Sequence, residues 1–331
     1  MDREVTLQDA APSRLARGHA REVAPGLAYM LDRIVNLYFV GEPGAGDGGW
    51  VLVDAGLPGS APAIVAAVEE RFGAGARPSA IVLTHGHFDH VGALKTLAER
   101  WDVPVYAHEL ELPYLTGRAS YPPPDPTVGG GGMAFMSRAF PRGPIDLGPR
   151  VRVLPPDDTV PGMPGWRWIH TPGHAPGHVS LFRDGDRTLI AGDAFVTTKQ
   201  ESLYSALTQR REINGPPAYF TQNWDDARDS VQRLVALRPA VAATGHGVPM
   251  RGDEMLQALD RLARDFDEVA RPSHGRYVRQ PALFDERGVV TIPPPVPDNL
   301  ARTLTGVAAV VAAGYAFSAL RRRGEGKESR M

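Results

Sequence analysis

The segment THGHFDHVG occupies residues 84–92 and places three histidines and one aspartate within six positions. Imidazole is the commonest neutral metal ligand in proteins, and a carboxylate adds negative charge that helps to hold a dication. His85 and His87 alternate along the chain and can reach one point, whereas Asp89 and His90 come later and can reach a second. Four potential ligands exceed what one segment gives to a single tetrahedral site. The segment therefore predicts two metal ions that share it.

The composition of the 331-residue chain restricts the classes of protein to which it can belong. A hydrophobic fraction of 43% is typical of a globular protein. The formal net charge of −2 provides no basic excess, so no nucleic-acid partner is expected. The absence of cysteine leaves histidine, aspartate and glutamate as metal ligands. The N-terminus shows no apolar segment typical of a secretory signal, which favours the cytoplasm.

Short apolar runs alternate with helical patterns, which predicts an α/β protein. The predicted strands lie at residues 38–40, 50–53, 80–83, 103–107, 151–154, 167–169, 179–182, 188–190 and 240–243. The predicted helices lie at residues 61–72, 91–100, 225–237 and 252–270. Five polar residues each follow an apolar run: Asp54, His85, His174, Asp193 and His246. Since strand ends of a layered α/β fold meet at one edge of a sheet, these side chains are expected to converge there.

These motifs resemble those of the metallo-β-lactamase superfamily of binuclear metallohydrolases. The resemblance rests on five motifs in the expected order, VLVDAG, THGHFDH, TPGHAPGH, AGDA and TGHG, which together span about two thirds of the chain. It implies an α/β fold of four layers, an αββα sandwich with the metals at one edge. The sequence adds a helical extension at the C-terminal side. Such motifs specify the fold much more closely than the substrate.

The resemblance also implies a role for each metal-binding residue. The first expected site consists of His85, His87 and His174, and the second of Asp89, His90 and His246. Asp193 is expected to bridge the two sites, which gives seven ligands in all. Asp54 is expected to orient the histidine loop without binding metal, and Thr84 is grouped with it. His178 precedes a strand and is expected to support the ligands or to pack in the core.

The implied activity is that of a hydrolase in which a metal-bridging hydroxide attacks an ester, thioester or lactone carbonyl. Two zinc ions are the expected cofactors, with manganese or iron as alternatives, and the expected substrate is a small molecule. Asp89 is the expected catalytic residue, because its carboxylate can pass a proton to the leaving group. β-Lactamases of the commonest type carry a cysteine where Asp193 stands, so that activity is disfavoured.

Two other functions remain open. A persulfide dioxygenase would hold one iron on His85, His174 and Asp193, following the two-histidine, one-carboxylate principle. A non-catalytic metal-binding module is the third alternative, and it is disfavoured because such modules commonly lose ligands, whereas none is missing here.

Features that would identify the substrate are weaker. Many lactonases of the superfamily carry a tyrosine shortly after the bridging aspartate, and the nearest one here is Tyr204, for which a packed aromatic is the favoured interpretation. Lys199 and Arg210 are the candidates for contacts with a glutathione moiety. Residues 109–146 interrupt the strand–helix alternation and are predicted to form a loop that shapes the substrate pocket.

The chain is expected to divide into four parts, which are an N-terminal arm (1–20), a catalytic domain (21–270), a C-terminal extension (271–300) and a tail helix (301–331). Residues 303–320 carry no charge and precede three arginines, so this helix is expected either to lie on the domain surface or to associate with a membrane. The oligomeric state is left open.

Overall fold

The computed structural model describes residues 18–297. The strands within them are β1 (Arg21–Ala24), β2 (Leu27–Asp32), β3 (Val35–Val40), β4 (Val51–Val53), β5 (Ala80–Val82), β6 (Val105–Ala107), β7 (Val151–Val153), β8 (Trp166–His170), β9 (Val179–Arg183), β10 (Thr188–Gly192), β11 (Val241–Thr244), β12 (Met250–Arg251), β13 (Leu283–Asp285) and β14 (Gly288–Thr291). The α-helices are α1 (Ala61–Phe72), α2 (Leu94–Trp101), α3 (Leu112–Leu115), α4 (Gly132–Met136), α5 (Leu203–Thr208), α6 (Trp224–Ala236), α7 (Asp253–Arg264) and α8 (Phe266–Val269).

The first sheet contains β1 to β7 in chain order. Its first four strands pair antiparallel, and β4 to β7 pair parallel. In β3, Leu37 and Phe39 face one side of the sheet and Tyr38 and Val40 face the other, because side chains alternate across a strand. Every residue of β3 is buried, since protein covers both faces. This explains why residues 37–40 form a continuous apolar run and not an alternation.

The second sheet has the strand order β12, β11, β10, β9 and β8. β10 and β11 pair parallel, and the other neighbours pair antiparallel. The crossover between the two parallel strands contains α6. Asn223 caps this helix, because its side chain accepts hydrogen bonds from the backbone N–H groups of Asp225 and Asp226.

The two sheets and their helices form four layers, as the apolar clusters show. One cluster joins α1 and α2 to the outer face of the first sheet, and there the ring of Phe72 stacks on Trp50 at 4.5 Å. A second cluster fills the space between the sheets, where Tyr38 and Val53 meet Leu181 and Ile190. A third joins α6, α7 and α8 to the outer face of the second sheet. The predicted αββα sandwich is therefore confirmed.

Several predicted elements differ in detail from those observed. The helix predicted at 252–270 divides into α7 and α8 at Asp265, whose φ and ψ of −106° and 24° leave the helical region. The strand pair β1–β2 and the hairpin β13–β14 were not predicted, because β2 is buried throughout and lacks alternation and β13 and β14 are short. The segment 109–146 is not one irregular loop, since it contains α3 and α4.

The tail helix predicted at 301–331 lies outside the described residues, as does most of the N-terminal arm. None of the helices between residues 18 and 297 has the length and apolar character that crossing a membrane requires. The membrane association predicted for residues 303–320 remains a prediction.

Candidate metal centre

The residues predicted to bind metal come together at one edge of the two sheets. Asp54 follows β4, the histidine segment follows β5, and His174 follows β8. Asp193 follows β10, and His246 follows β11. The seven predicted ligands are almost completely buried, with exposures between 0% and 5%. Strand ends thus place donors that are distant in sequence around one enclosed volume.

The first group of donors consists of His85, His87 and His174, whose ligand atoms lie within 4.8 Å of one another. Nδ1 of His87 is 2.9 Å from Nε2 of His174, so two ring nitrogens point at the same space. The segment between β8 and β9 carries His174 into contact with the loop after β5. Three histidines are the number of protein ligands found in one common kind of catalytic zinc site.

The second group consists of Asp89, His90 and His246, which also lie within 4.8 Å. Oδ2 of Asp193 is 3.1 Å from Nε2 of His246, 3.5 Å from Nε2 of His90 and 3.4 Å from Nε2 of His174. The same carboxylate oxygen therefore faces both groups. Such a position suits an anionic ligand shared by two cations.

Unpaired polar atoms test whether these residues suit a metal. Nε2 of His85, His87 and His90 is buried and has no hydrogen-bond partner among residues 18–297, and neither does Oδ1 of Asp193. A buried polar atom without a partner costs about 1–3 kcal/mol. Four such atoms around one small volume fit divalent metals, which would use these lone pairs as ligands.

The protonation states of the first group suit metal binding as well, whereas in the second group burial, which alone would lower the pKa of His90 and His246, is outweighed by attraction to Asp193, which raises it. Burial, followed by repulsion from neighbouring histidines, holds the pKa of His85 and His87 well below the usual value, and burial lowers the pKa of His174 to about 4. Burial alone would raise the pKa of Asp193, but the imidazoles of His246 and His90 hold it well below its usual range. Neutral imidazole and ionised carboxylate are the forms that bind metal.

Asp54 supports the histidine segment without belonging to either group of donors. Its carboxylate accepts hydrogen bonds from the N–H and the hydroxyl of Thr84, both at 2.8 Å, and lies 2.9 Å from Nδ1 of His90. The hydroxyl of Thr84 is in turn 3.1 Å from Nδ1 of His85. Asp54 holds an unusual backbone conformation, with a φ of 61°. Asp54 and Thr84 therefore fix the ring orientation of two donors.

His178 and Gly245 fix the position of Asp193. Nε2 of His178 accepts a hydrogen bond of 2.8 Å from the N–H of Asp193, and its Nδ1 is 2.9 Å from the hydroxyl of Thr171. With both ring nitrogens engaged, His178 supports the site and is not available as a ligand. A Cβ atom at Gly245 would lie 2.0 Å from Oδ1 of Asp193, so only glycine allows this approach.

Glu111, whose importance the sequence did not reveal, joins two of the ligand loops. Its fully buried carboxylate accepts hydrogen bonds from the N–H of Gly86 at 2.9 Å and the N–H of Gly177 at 2.8 Å. Gly86 separates two histidines of the first group, and Gly177 follows His174 by three residues. One side chain thus connects both loops that supply the first group.

Tyr121 completes this connection. Its hydroxyl donates a hydrogen bond to Glu111, and its ring lies 4.6 Å from the ring of His87. A Cβ atom at Gly86 would lie 2.8 Å from that hydroxyl, so glycine is needed here for close approach. Burial raises the pKa of Glu111 to about 7. No sequence pattern pointed to either residue, because both lie in the segment interpreted as a substrate loop.

Aromatic side chains border the centre on one side. The ring of Phe220 stacks on His87 at 4.4 Å, and Phe140 lies 5.3 Å from Phe88 and 6.0 Å from Phe220. Burial, and then the carboxylate of Asp89, raises the pKa of the neighbouring Tyr219 well above its usual value. The sequence had not identified Tyr219.

The other residues considered for substrate contact lie at the surface. Tyr204, expected to be packed, is 70% exposed, so that interpretation is wrong. Lys199 and Arg210 are exposed too.

Comparisons with known proteins agree with this geometry. Residues 30–246 match the family model of the metallo-β-lactamase superfamily. The chain is 46% identical over 252 residues to the probable metallo-hydrolase YflN of Bacillus subtilis, an alignment that covers 76% of this chain and 95% of that protein. It is 28% identical over 198 residues to the hydroxyacylglutathione hydrolase of Xanthomonas axonopodis, covering 58% of this chain and 54% of that protein.

Among solved structures, a beta-lactamase domain protein from Burkholderia ambifaria resembles this chain with a TM-score of 0.52 and 24% identity. The match covers 76% of this chain and 77% of that one, and it concerns the fold alone. The matched family region contains all seven donors, from His85 to His246. The chain therefore belongs to the metallo-β-lactamase superfamily and is a hydrolase of the metallo-β-lactamase fold.

Proposed function

We propose that this protein is a binuclear metallohydrolase that cleaves an ester, thioester or lactone. The observation that carries the proposal is the pair of donor groups on either side of Asp193, whose Oδ2 lies within 3.1–3.5 Å of three imidazole nitrogens. We assign His85, His87 and His174 to one metal and Asp89, His90 and His246 to the other. Asp193 is assigned as the shared ligand.

Bound dications supply Lewis acidity that lowers the pKa of a water ligand to roughly 7 and polarises a carbonyl oxygen. The chain's own residues place the donors, keep the imidazoles of the first group neutral and exclude bulk water. Asp89 is the most exposed of the seven donors, at 5%, so its carboxylate is best placed to pass a proton to a departing group. Zinc is the metal we expect, with manganese or iron as alternatives.

Two observations favour a substrate with an acyl group, that is, an ester, thioester or lactone. The aromatic border of Phe220, Phe140 and Phe88 offers an apolar surface beside His87, which suits the carbon skeleton of an acyl group. The partial similarity to a hydroxyacylglutathione hydrolase also supports a carbonyl substrate.

The mononuclear dioxygenase is the weaker alternative. It would use His85, His174 and Asp193 and would give no role to the remaining donors. His90 and His246 are nevertheless buried at 0% and 1% exposure, and Nε2 of His90 has no hydrogen-bond partner among residues 18–297. Retaining such a group without a metal is costly, which supports two metals.

Elemental analysis of full-length protein, purified without chelator or metal-affinity resin, tests the proposal first. We expect about two zinc or manganese ions per chain and hydrolysis in a panel of esters, thioesters and lactones. The variant H90A should lose metal and activity, whereas the matched histidine control H19A, which changes an exposed residue, should retain both. A single iron per chain, with oxygen uptake on glutathione persulfide, would establish the dioxygenase instead.

A further inference from the structure

Exposed apolar side chains concentrate on two short helices. Ten large hydrophobic side chains are exposed within residues 18–297, and half of them belong to α4 and α5. These five side chains define what we name the α4–α5 surface, and they are Phe135 (47%), Met136 (42%), Leu203 (40%), Tyr204 (70%) and Leu207 (53%). The two helices contain only eleven of the residues that the structure describes. An apolar patch of this kind marks an interaction site more often than chance exposure does.

The two helices meet at their N-terminal ends although 66 residues separate them in sequence. The N–H of Met133 in α4 donates a hydrogen bond of 3.0 Å to the carbonyl of Glu201, immediately before α5. Ser202 caps α5, since its hydroxyl accepts a hydrogen bond from the N–H of Ser205. The exposed apolar residues of α4 and α5 therefore flank one junction between the two helices.

Positive charge surrounds this surface. Residues 132–142 and 199–212 contain five lysines and arginines and two glutamates, whereas the whole chain carries a net charge of −2. Lys199, Arg210 and Arg211 are exposed, and none of them forms an ion pair within the part of the chain that the structure describes. Glu201 is engaged through the N–H of Ala218 at 2.7 Å. The local excess of cations contrasts with the acidic balance of the whole chain.

The inner side of the same helices reaches the metal centre. Met133, Ala134 and Ala206 form one apolar cluster with Tyr219 and Phe220. Phe220 is the residue whose ring stacks on His87. The α4–α5 surface and the first donor group are thus separated by one layer of side chains.

We propose that the α4–α5 surface docks this protein on an anionic lipid surface, with the apolar side chains in the acyl boundary and the cations at the headgroups. Peripheral membrane binding combines these two features, buried apolar area and attraction to anionic lipid. Five side chains are too few for the roughly 800 Å² per partner of a stable protein interface. This inference does not rest on the proposed hydrolysis, because binding is measured without substrate.

The test is co-sedimentation of the full-length protein with phosphatidylcholine vesicles, with and without phosphatidylglycerol. Wild-type protein should bind the anionic vesicles, and binding should weaken with salt. The variant L203Q/Y204Q/L207Q should bind at least about tenfold more weakly, and R210Q/R211Q about 25-fold more weakly on anionic vesicles, since each cation contributes about fivefold. The matched control L283Q/V290Q changes two side chains exposed at 53% and 58% on β13 and β14, and it should bind as wild type does.

Each other outcome overturns the proposal. Failure of wild-type protein to bind either vesicle rejects it outright. If wild-type protein binds and the triple variant binds equally well, another segment docks, and residues 303–320 become the next candidate. If the triple variant instead dissociates a dimer in sedimentation velocity and vesicle binding is absent, the partner is a second copy of the chain. Thermal unfolding and metal content confirm that each variant is folded, and R210Q/R211Q decides alone if the triple variant is not.

Discussion

The two donor groups of the metal centre differ in what holds them. His90 and His246 of the second group are fixed by Asp54, by the carbonyl of Ile34 at 2.7 Å from Nδ1 of His246, and by the ends of β5 in the first sheet and β11 in the second. His87 and His174 of the first group depend on contacts outside the sheets. The core of the fold therefore builds one half of the centre. The segment of residues 109–146, called the insertion below, completes the other half.

The insertion acts through few side chains. The carboxylate of Glu111 accepts hydrogen bonds from backbone N–H groups of both loops that carry the first group. The hydroxyl of Tyr121 donates a further hydrogen bond to the same carboxylate. On the other side, Asn36 in β3 donates hydrogen bonds to the carbonyls of Thr244 and Gly247, which flank His246. Substitutions in the insertion should thus chiefly weaken binding of the metal held by the first group. Substitutions in the core should chiefly weaken binding of the metal held by the second group.

The largest effect is expected where both halves meet. D193A removes the shared carboxylate, so metal content should fall at both sites. Activity should fall by more than about 100-fold, which is the upper bound for the loss of a residue that only supports a ligand. Elemental analysis and hydrolysis assays measure this change. Loss of only one metal would mean that Asp193 serves a single site.

D54N should weaken the second group more than the first, because Asp54 contacts His90 directly and reaches His85 only through Thr84. The amide nitrogen of asparagine cannot accept the hydrogen bonds that the carboxylate takes from Thr84 and His90. We expect affinity for the second metal to fall about 10–100-fold. Stepwise cobalt titration, followed by optical spectra, resolves the two sites. An equal loss at both sites would remove the distinction between core and insertion.

E111Q should weaken the first group selectively. Its amide nitrogen must face one of the N–H groups of Gly86 and Gly177, which separates the two histidine loops. We expect affinity for the first metal to fall about tenfold. This is the lower end of the range of losses, about 10–100-fold, that follows removal of a residue that supports a ligand. The same cobalt titration applies, with the exposed E109Q as control. Unchanged spectra in E111Q would show that Glu111 serves stability alone.

Y121F should produce the smallest effect. It removes one donor to Glu111 and keeps the ring contact with His87. The free energy of unfolding should fall by about 1–3 kcal/mol, because the buried carboxylate loses a partner. Denaturant unfolding of metal-loaded protein measures it. The control Y106F, whose hydroxyl makes only a 3.5 Å contact with Arg152, should change it by less than about 0.5 kcal/mol.

Local patterns in the sequence were sufficient for most of the fold. The helix at 61–72 was predicted with its observed bounds, because its amphipathic spacing depends on neighbours within the same segment. The four layers and the family followed from the motifs. The sequence did not predict β2, because packing from both sides removes the alternation on which strand prediction depends. The break at Asp265 between α7 and α8 was not predicted either, because the amphipathic pattern runs on through it.

For the candidate site, the sequence by itself predicted the donors, since histidine and aspartate after apolar runs carry a chemical signal in their identity and spacing. The family resemblance implied that Asp193 lies between both groups, whereas only the tertiary structure decided that Glu111 and Tyr121 tie two loops together. It also decided that Tyr204 lies at the surface. The physical reason is distance along the chain. A supporting residue has no characteristic neighbours in sequence, because its partners lie 25 to 66 residues away and meet it only after the sheets have formed.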